Sequence, residues 1–548
     1  MTVESLRRRH RPAVEASPAE CPEAKETDSS LDATLPAPVP PPPSARSEAD
    51  LPTWTRACQR KEGSIFSWQL LVLLAVGVAL RLFLYSVGLT LSESTEPLVS
   101  PASASFSAFR EALTLHALSF SPYTGGVYRQ QPLVFLSLKW LTGAGRGADE
   151  SCNTSSCQWR YYLVLIFIDL VAATALAVAA AEARTWAVSW RQKDWENSTD
   201  VTREKGPSER GKTLAKGSEE SHQQPRDGVE EIVATPALVA ASYFLHPMTI
   251  GAILSLTIHT LPLAFFASAL ACATRAGWLS RWFSVVFFGF SLYVGPPQAL
   301  LLALPLAHLL HAVRTQTVQR LDLLEVLPSP KKDILPGLLR GTLLFFAGLA
   351  FCVLLHVASY FALRAYTADA ADYLDSTVVS MWGVRDLGPN LGIFWYIFSL
   401  IFERYRLLFV MIFQGHCFIL VVPLFVRMFR YPLAYCQVVI AIALLFQPSF
   451  CISDSAFLVS LLISRWHIVE RKVAFVKLIV VAFVAVSIYP VTTELWLGRN
   501  TGNPNFVYNI QIIFQVFMGF LILEWIKGVI LDRVFTSSES FEKREKTA

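Results

Sequence analysis

Three stretches of this sequence place hydrogen-bonding side chains beside aromatic rings at short spacing. In Asn503-Pro504-Asn505-Phe506-Val507-Tyr508, two amides and a phenol stand just ahead of the apolar run 509–531. Such groups can bond sugar hydroxyls and phosphate oxygens without carrying charge to the edge of a bilayer. An Asn-Pro-Asn turn with Tyr508 in the aromatic belt fits the same residues. In Asp386-Leu387-Gly388-Pro389-Asn390, followed by Trp395 and Tyr396, a carboxylate suited to a glycan hydroxyl or an ammonium joins an amide and two rings. The run from Ser121 to Pro132 adds Tyr123, Tyr128 and Arg129. There the guanidinium can pair with phosphate, and the tyrosines can stack on a sugar or sit at headgroup level. A turn anchored by interfacial aromatics fits that run equally well.

Bond-making chemistry is harder to assemble. Acid–base or metal-assisted transfer needs a suitably placed carboxylate, and the stretch 98–107 contains no acid. Glu93, Glu96 and Glu111 read as solvated charges, and Asp454 as a helix cap or solvated charge. Cys272, Cys352, Cys417, Cys436 and Cys451 fall in or beside apolar stretches, where they pack rather than attack. His259, His308, His311, His356 and His416 lack metal-ligand spacing, and the i, i+3 pair His308/His311 suits helix-end packing better than a metal. No glycine cluster makes a phosphate loop. We therefore expect no catalytic residue, metal or cofactor in this chain.

The elements that must position these side chains follow from composition. Of 548 residues, 53% are hydrophobic and 16% charged, and the mean hydropathy is +0.42, which excludes an ordinary soluble enzyme. Stretches such as 66–91, 342–361 and 407–426 reach the roughly 20 residues needed to cross a hydrocarbon core about 30 Å thick. Sustained alternation, the mark of a barrel, is missing, so the spans must be helices. A net charge of +4, with scattered basic residues, gives no reason to invoke nucleic acid.

About 12 spans are expected, near 66–91, 161–181, 233–249, 251–273, 279–295, 297–313, 341–363, 406–427, 433–448, 455–469, 473–490 and 509–531. Basic loops at 314–340, 427–430 and 465–472 place those loops in the cytosol, with both termini. The loops 365–389, 449–454 and 491–508 then become lumenal. A disordered cytosolic tail, 1–65, precedes the first spans and their large lumenal loop, 66–183. A charged insertion, 184–231, reads as disordered, and a multi-span domain, 232–532, leads to a cytosolic tail, 533–548. Two apolar stretches do not fit as spans. Residues 132–141 are too few, and 391–402 suit a helix at or dipping into the lumenal surface; 106–118 is amphipathic, with Phe106, Phe109, Leu113 and Ala117 at helical spacing. Cys152 and Cys157 flank an Asn153-Thr154-Ser155 glycosylation sequon, as suits an oxidising lumen. Arg81 and Asp169 lie inside spans, where an ionisable group is costly; snorkelling for Arg81 and a helix–helix hydrogen bond for Asp169 explain them without a function.

The Ser-Pro-Tyr…Tyr-Arg…Pro pattern of 121–132 resembles an element of the glycosylphosphatidylinositol (GPI) mannosyltransferase I family, membrane enzymes of the GT-C type, and of the related PIG-U family. The run Asp386-Leu387-Gly388-Pro389-Asn390 with Phe394-Trp395-Tyr396 and Phe402-Glu403, Asp169 within Phe167–Leu170, and the Asn503–Tyr508 element resemble PIG-U specifically. This resemblance covers roughly 66–532 and omits the N-terminal tail and the 184–231 insertion. It implies an all-α polytopic fold with a GT-C-like arrangement in the endoplasmic reticulum membrane. It also implies a non-catalytic subunit of the GPI transamidase that binds and positions GPI, with Asn503, Asn505, Tyr508, Asp386, Asn390, Trp395 and Tyr396 contacting it and Tyr123, Tyr128 and Arg129 near headgroups. The implied partners are the other transamidase subunits, including a caspase-like cysteine subunit that performs catalysis, and membrane lipids. An active mannosyltransferase using dolichol-phosphate mannose is the competing enzyme reading. A lipid flippase is the competing transporter reading, and it requires an inverted repeat that inspection does not find.

Overall fold

The computed structural model describes residues 67–88, 100–144, 152, 154–204, 234–319, 330–367, 370–429, 431–465 and 473–547. They belong to one compact unit, Ser64–Ala548, and contain helices and turns but no strand. The chain is an all-α polytopic membrane protein: six described helical stretches are long and apolar enough to cross a bilayer. They are Trp68–Ser86, Ser155–Thr185, Leu335–Arg364, Glu403–Met428, Val476–Gly498 and Pro504–Ile530.

The first span, α1 (Trp68–Ser86), shows how lipid divides a helix. Ser67 Oγ caps it by accepting from Leu70 N at 3.3 Å. Leu70, Leu74, Gly77 and Arg81 form its buried stripe, while Leu71, Val72, Val76 and Phe83 face outward. A methyl group on Gly77 would come within 2.4 Å of the Phe244 ring, so glycine here lets two helices approach closely. One turn on, Arg81 is fully buried and bonded to Asp169 on α2 (Ser155–Glu204). Arg81 also donates to Gly77 O at 3.3 Å and lies 3.9 Å from the Phe244 ring centroid. The two intramembrane charges, expected to be handled separately, thus answer each other. Pairing offsets part of the cost of burying either charge.

The 233–249 and 251–273 stretches are not two straight spans. Thr235 caps α3 (Pro236–Phe244), and α4 (Pro247–Leu254) leaves it at 46°. Pro247 supplies no N–H and holds His246 extended, which breaks the helix there. Residues 255–260 then lead into α5 (Leu261–Ala273). Likewise 297–313 opens with a 3-10 turn, Pro297–Leu302, before Ala303–Gln319.

Two further expected spans, 433–448 and 455–469, are short helices, α6 (Pro432–Leu445) and α7 (Ile452–Ile463), packed inside the protein. Every residue from Pro432 to Leu444 is buried. An apolar run of 12–14 residues is as good a core helix as a span, and neighbouring helices supply the apolar surroundings that lipid supplies elsewhere.

Around the first loop, Phe106–Ala117 forms the expected amphipathic helix, with Phe106, Phe109 and Leu113 inward and Ala117 outside that buried face. Pro132–Thr142 follows as a short helix, ended by Gly143 in the left-handed region. Cys152 and Cys157 are joined by a disulfide with Cα atoms 5.4 Å apart. Helix α2 continues to Glu204, beyond the boundary expected at Arg184. The rest of the expected insertion, like the 1–65 tail and Asn153, lies outside the described residues.

Candidate functional site

The Asp386–Tyr396 and Asn503–Tyr508 stretches, 109 residues apart along the chain at Tyr396 and Asn505, come together. The first is folded by its own side chains. Asp386 Oδ1 accepts from Gly388 N at 3.2 Å, and Asn390 Oδ1 accepts from Gly392 N at 2.8 Å. Asn390 Nδ2 returns a bond to Gly388 O at 3.2 Å. These Asx-type turns let a Gly-Pro segment keep a fixed shape without secondary structure. Leu391 N donates to Phe450 O at 3.0 Å and ties the loop to the core.

A short helix, Phe394–Leu400, then presents Trp395 and Tyr396. Trp395 is buried, stacks on Trp496 with centroids 5.9 Å apart, and donates through its indole N–H to Gln511 Oε1 at 3.0 Å. Gln511 Nε2 donates to Asn390 O, so one buried amide on α8 (Pro504–Thr547) fastens both parts of the loop. Tyr396 is half-buried; its hydroxyl donates to Asn505 Oδ1, and its ring lies 4.5 Å from that of Tyr508.

The start of α8 is set by Asn503, whose Oδ1 accepts from Asn505 N at 3.0 Å, with Pro504 as the first helical residue. The turn before it doubles back so that Thr501 N and Gly502 N both donate to Leu495 O, at 2.9 and 2.8 Å. A Cβ on Gly502 would lie 2.9 Å from Trp496 N, so this close approach requires glycine. Asn503 and Asn505 are exposed and Tyr508 is half-buried. The structure thus divides the expected ligand residues: Asn390 and Trp395 are buried and spend their polar groups inside the protein, while Asn503, Asn505, Tyr396 and Tyr508 form a surface that a ligand can reach. Both asparagine side chains bond only through Oδ1, as acceptors, and the Nδ2 groups of Asn503 and Asn505 donate no hydrogen bond among the described residues.

Asp386 faces elsewhere. With Arg129, Gln130, Ser103, His259 and Asp454 it lines a neighbouring open cleft. Arg129 donates to Ser380 Oγ at this cleft. Tyr123 and Tyr128 do not present their rings to headgroups. Both are 3% exposed, within an aromatic group that includes Phe109, Phe135 and Tyr373. Burial, reinforced by neighbouring tyrosines, pushes both phenols well above their ordinary range, so they remain neutral. Tyr123 Oη donates to Gln130 O at 2.9 Å, so its role is to shape the loop that carries Arg129.

The sequence profile of the family described as GPI transamidase subunit PIG-U matches residues 75–514. The chain belongs to the PIG-U family. It is 26% identical to the mouse protein named GPI-anchor transamidase component PIGU over 458 residues, 82% of this chain and 90% of the mouse one. Its identity to the human protein of the same name is 25% over the same shares. A fission yeast relative, named GPI transamidase component GAB1 homolog, is 30% identical over 165 residues, 29% of this chain and 37% of the relative. The PIG-U match includes the 386–396 loop and ends beyond Gln511, so both motifs of the junction lie inside it.

Gln511, Trp496 and Tyr489 were not singled out by sequence, although they hold the junction together. Gln511 had one usable signal, as an uncharged polar residue inside an apolar span. Asp454 carries another surprise. It is a buried cap at the start of α7, and its Oδ2 is bonded at 2.8 Å to His259 Nε2 across 195 residues. No local spacing could reveal that pair.

Proposed function

We propose that this chain is a non-catalytic subunit of the GPI transamidase in the endoplasmic reticulum, which binds GPI and positions it for transfer to proteins. The observation that carries this reading is the junction of Tyr396 with Asn505 and Tyr508. It joins the two motifs that resemble PIG-U most specifically into one exposed, uncharged, hydrogen-bonding surface beside a span. Amides and phenols arranged in this way bond glycan hydroxyls and phosphate oxygens. Asp386 and Arg129, across the adjoining cleft, offer complementary charge to an ethanolamine ammonium and a phosphate.

The lipid part of GPI has a place as well. A second groove, lined by Leu292, Leu300, Leu349, Cys352 and Val353, shares Pro296 and Met381 with the polar cleft. An amphiphile can therefore lay its acyl chain among the helices while its head stays with the polar residues. Held there, the ethanolamine amine gains effective concentration and orientation at an active site supplied by a caspase-like partner subunit. Both termini are cytosolic in this reading, and the junction is lumenal.

A mannosyltransferase would need a free carboxylate at the same cleft. The stretch 98–107, where the resemblance to the mannosyltransferases would place it, contains no acid; at the cleft itself Asp386 Oδ1 is bonded to Gly388 N, and Asp454 Oδ2 accepts from Cys451 N, Gln447 and His259. The test is lipid retention. GPI co-purifying with the wild-type chain in mild detergent should fall several-fold in Asn505→Ala, at about 1–1.5 kcal/mol for a lost hydrogen-bonding group. Equal GPI in wild type and variant would overturn the placement.

A further inference from the structure

His259, Cys451 and Asp454 meet at the edge of the polar cleft, with an imidazole nitrogen, the Cys451 Sγ and a carboxylate oxygen all within 4.8 Å of one another. Cys451 caps α7, Asp454 is three residues on, and His259 lies in the connector between α4 and α5. The carboxylate is used unevenly. Oδ2 accepts from Gln447 Nε2 at 2.6 Å, from Cys451 N at 2.8 Å and from His259 Nε2 at 2.8 Å, whereas Oδ1 is buried with no hydrogen-bond partner. A buried carboxylate oxygen left bare costs free energy unless something cationic takes it.

We propose that these three side chains bind a zinc ion. The donor set of imidazole nitrogen, thiolate and carboxylate is one that zinc accepts, and three protein ligands leave the fourth tetrahedral position for water or another oxygen. That position opens on the cleft, because His259 and Asp454 are both among its lining residues. Zinc bonds of about 2.0–2.3 Å hold tetrahedral ligands roughly 3.3–3.8 Å apart, so a group whose donor atoms already lie within 4.8 Å of one another needs to close only modestly around an ion. Asp454 would ligate through its bare Oδ1. Gln447 and the Cys451 amide would keep their bonds to Oδ2 and orient the carboxylate, as outer-sphere partners do in metal sites. The ion would replace the direct His259–Asp454 bond with a link through metal and stitch the α4–α5 connector to the start of α7.

The site goes beyond the GPI-binding reading and does not depend on it. The test uses the full chain purified in mild detergent without chelators, with metal content measured by plasma mass spectrometry. We expect about one zinc per chain in wild type. We expect at least a several-fold lower content in Cys451→Ser and His259→Gln, and unchanged content in Cys436→Ser, whose thiol lies elsewhere. Gln447→Leu should weaken zinc binding by about 10- to 100-fold while leaving the ligands in place. Replacing zinc by cobalt in the wild-type chain should give a thiolate-to-metal charge-transfer band, which reports the Cys451 bond even where a variant does not fold. A wild-type chain that takes up neither zinc nor cobalt overturns the proposal. So does zinc that persists unchanged in folded Cys451→Ser and His259→Gln.

Discussion

The hydroxyl of Tyr396 donates to the side-chain oxygen of Asn505 and so joins the short helix after the Asp386–Asn390 loop to the first turn of the last span. The bond fixes which face of each motif is open. Tyr396→Phe keeps the ring against Tyr508 but frees Asn505. A neutral hydrogen bond is worth about 0.5–1.5 kcal/mol net. We expect chain level and assembly to be unchanged and GPI retention to fall by about two- to tenfold, read by quantifying co-purified GPI.

Gln511 should behave differently, because it lies under the surface. Its amide serves both the Asn390 carbonyl and the Trp395 indole. Gln511→Leu leaves the buried Trp395 indole N–H unpaired, at about 1–3 kcal/mol, and leaves the Asn390 carbonyl only the Tyr489 hydroxyl at 3.5 Å. A lower thermal unfolding midpoint in detergent, together with loss of GPI, is the expected outcome. Loss of GPI with an unchanged midpoint would show that Gln511 contacts ligand instead.

The Arg81–Asp169 pair predicts a non-additive pattern. Removing one partner leaves a buried charge uncompensated, which costs about 3–5 kcal/mol. Arg81→Leu and Asp169→Leu should each reduce the steady-state level of folded chain sharply. The double variant should recover a substantial part of it, as measured by detergent-extractable monodisperse protein. A double variant worse than both singles would contradict a simple charge pair.

His116, on the amphipathic helix Phe106–Ala117, gives a pH prediction. Burial first, and the nearby Lys139 ammonium second, hold its imidazole below the ordinary range, against a smaller opposing backbone hydrogen bond. Its folded form therefore binds a proton less readily than the unfolded chain, so stability rises with pH in that window. As pH falls below about 6.5 toward the depressed folded value, the contribution is lost. The thermal midpoint of wild type should fall relative to that of His116→Gln as pH drops from above 7 to mildly acidic values, and the difference between them should stay constant above pH 7.

Much of this architecture was legible in the sequence, for identifiable reasons. Long charge-free runs marked the membrane helices, and the Phe106, Phe109 and Leu113 spacing marked the buried side of the amphipathic helix. The shortness of 132–141 set it apart from the spans. Hydropathy could not tell a lipid-facing helix from a core helix, so α6 and α7 read as ordinary spans. Nor could it see that Pro247 would bend a span by 46°.

At the candidate site, residue types announced hydrogen-bonding capacity without saying where it is spent. Asn390 and Trp395 turn inward to Gln511, whereas Asn503 and Asn505 stay exposed. Tyr123 and Tyr128 have the composition of interfacial residues but pack among other rings. The pairings Arg81–Asp169 and His259–Asp454 span 88 and 195 residues. Contacts of that range depend on the tertiary fold, which no local pattern encodes.

The most direct test of the central claim is affinity purification of the full chain from endoplasmic reticulum membranes in mild detergent, with mass spectrometry of the proteins and lipids that accompany it. The account predicts recovery of a caspase-like cysteine subunit together with GPI. A chain that purifies alone and transfers mannose from dolichol-phosphate mannose to a GPI acceptor would contradict it.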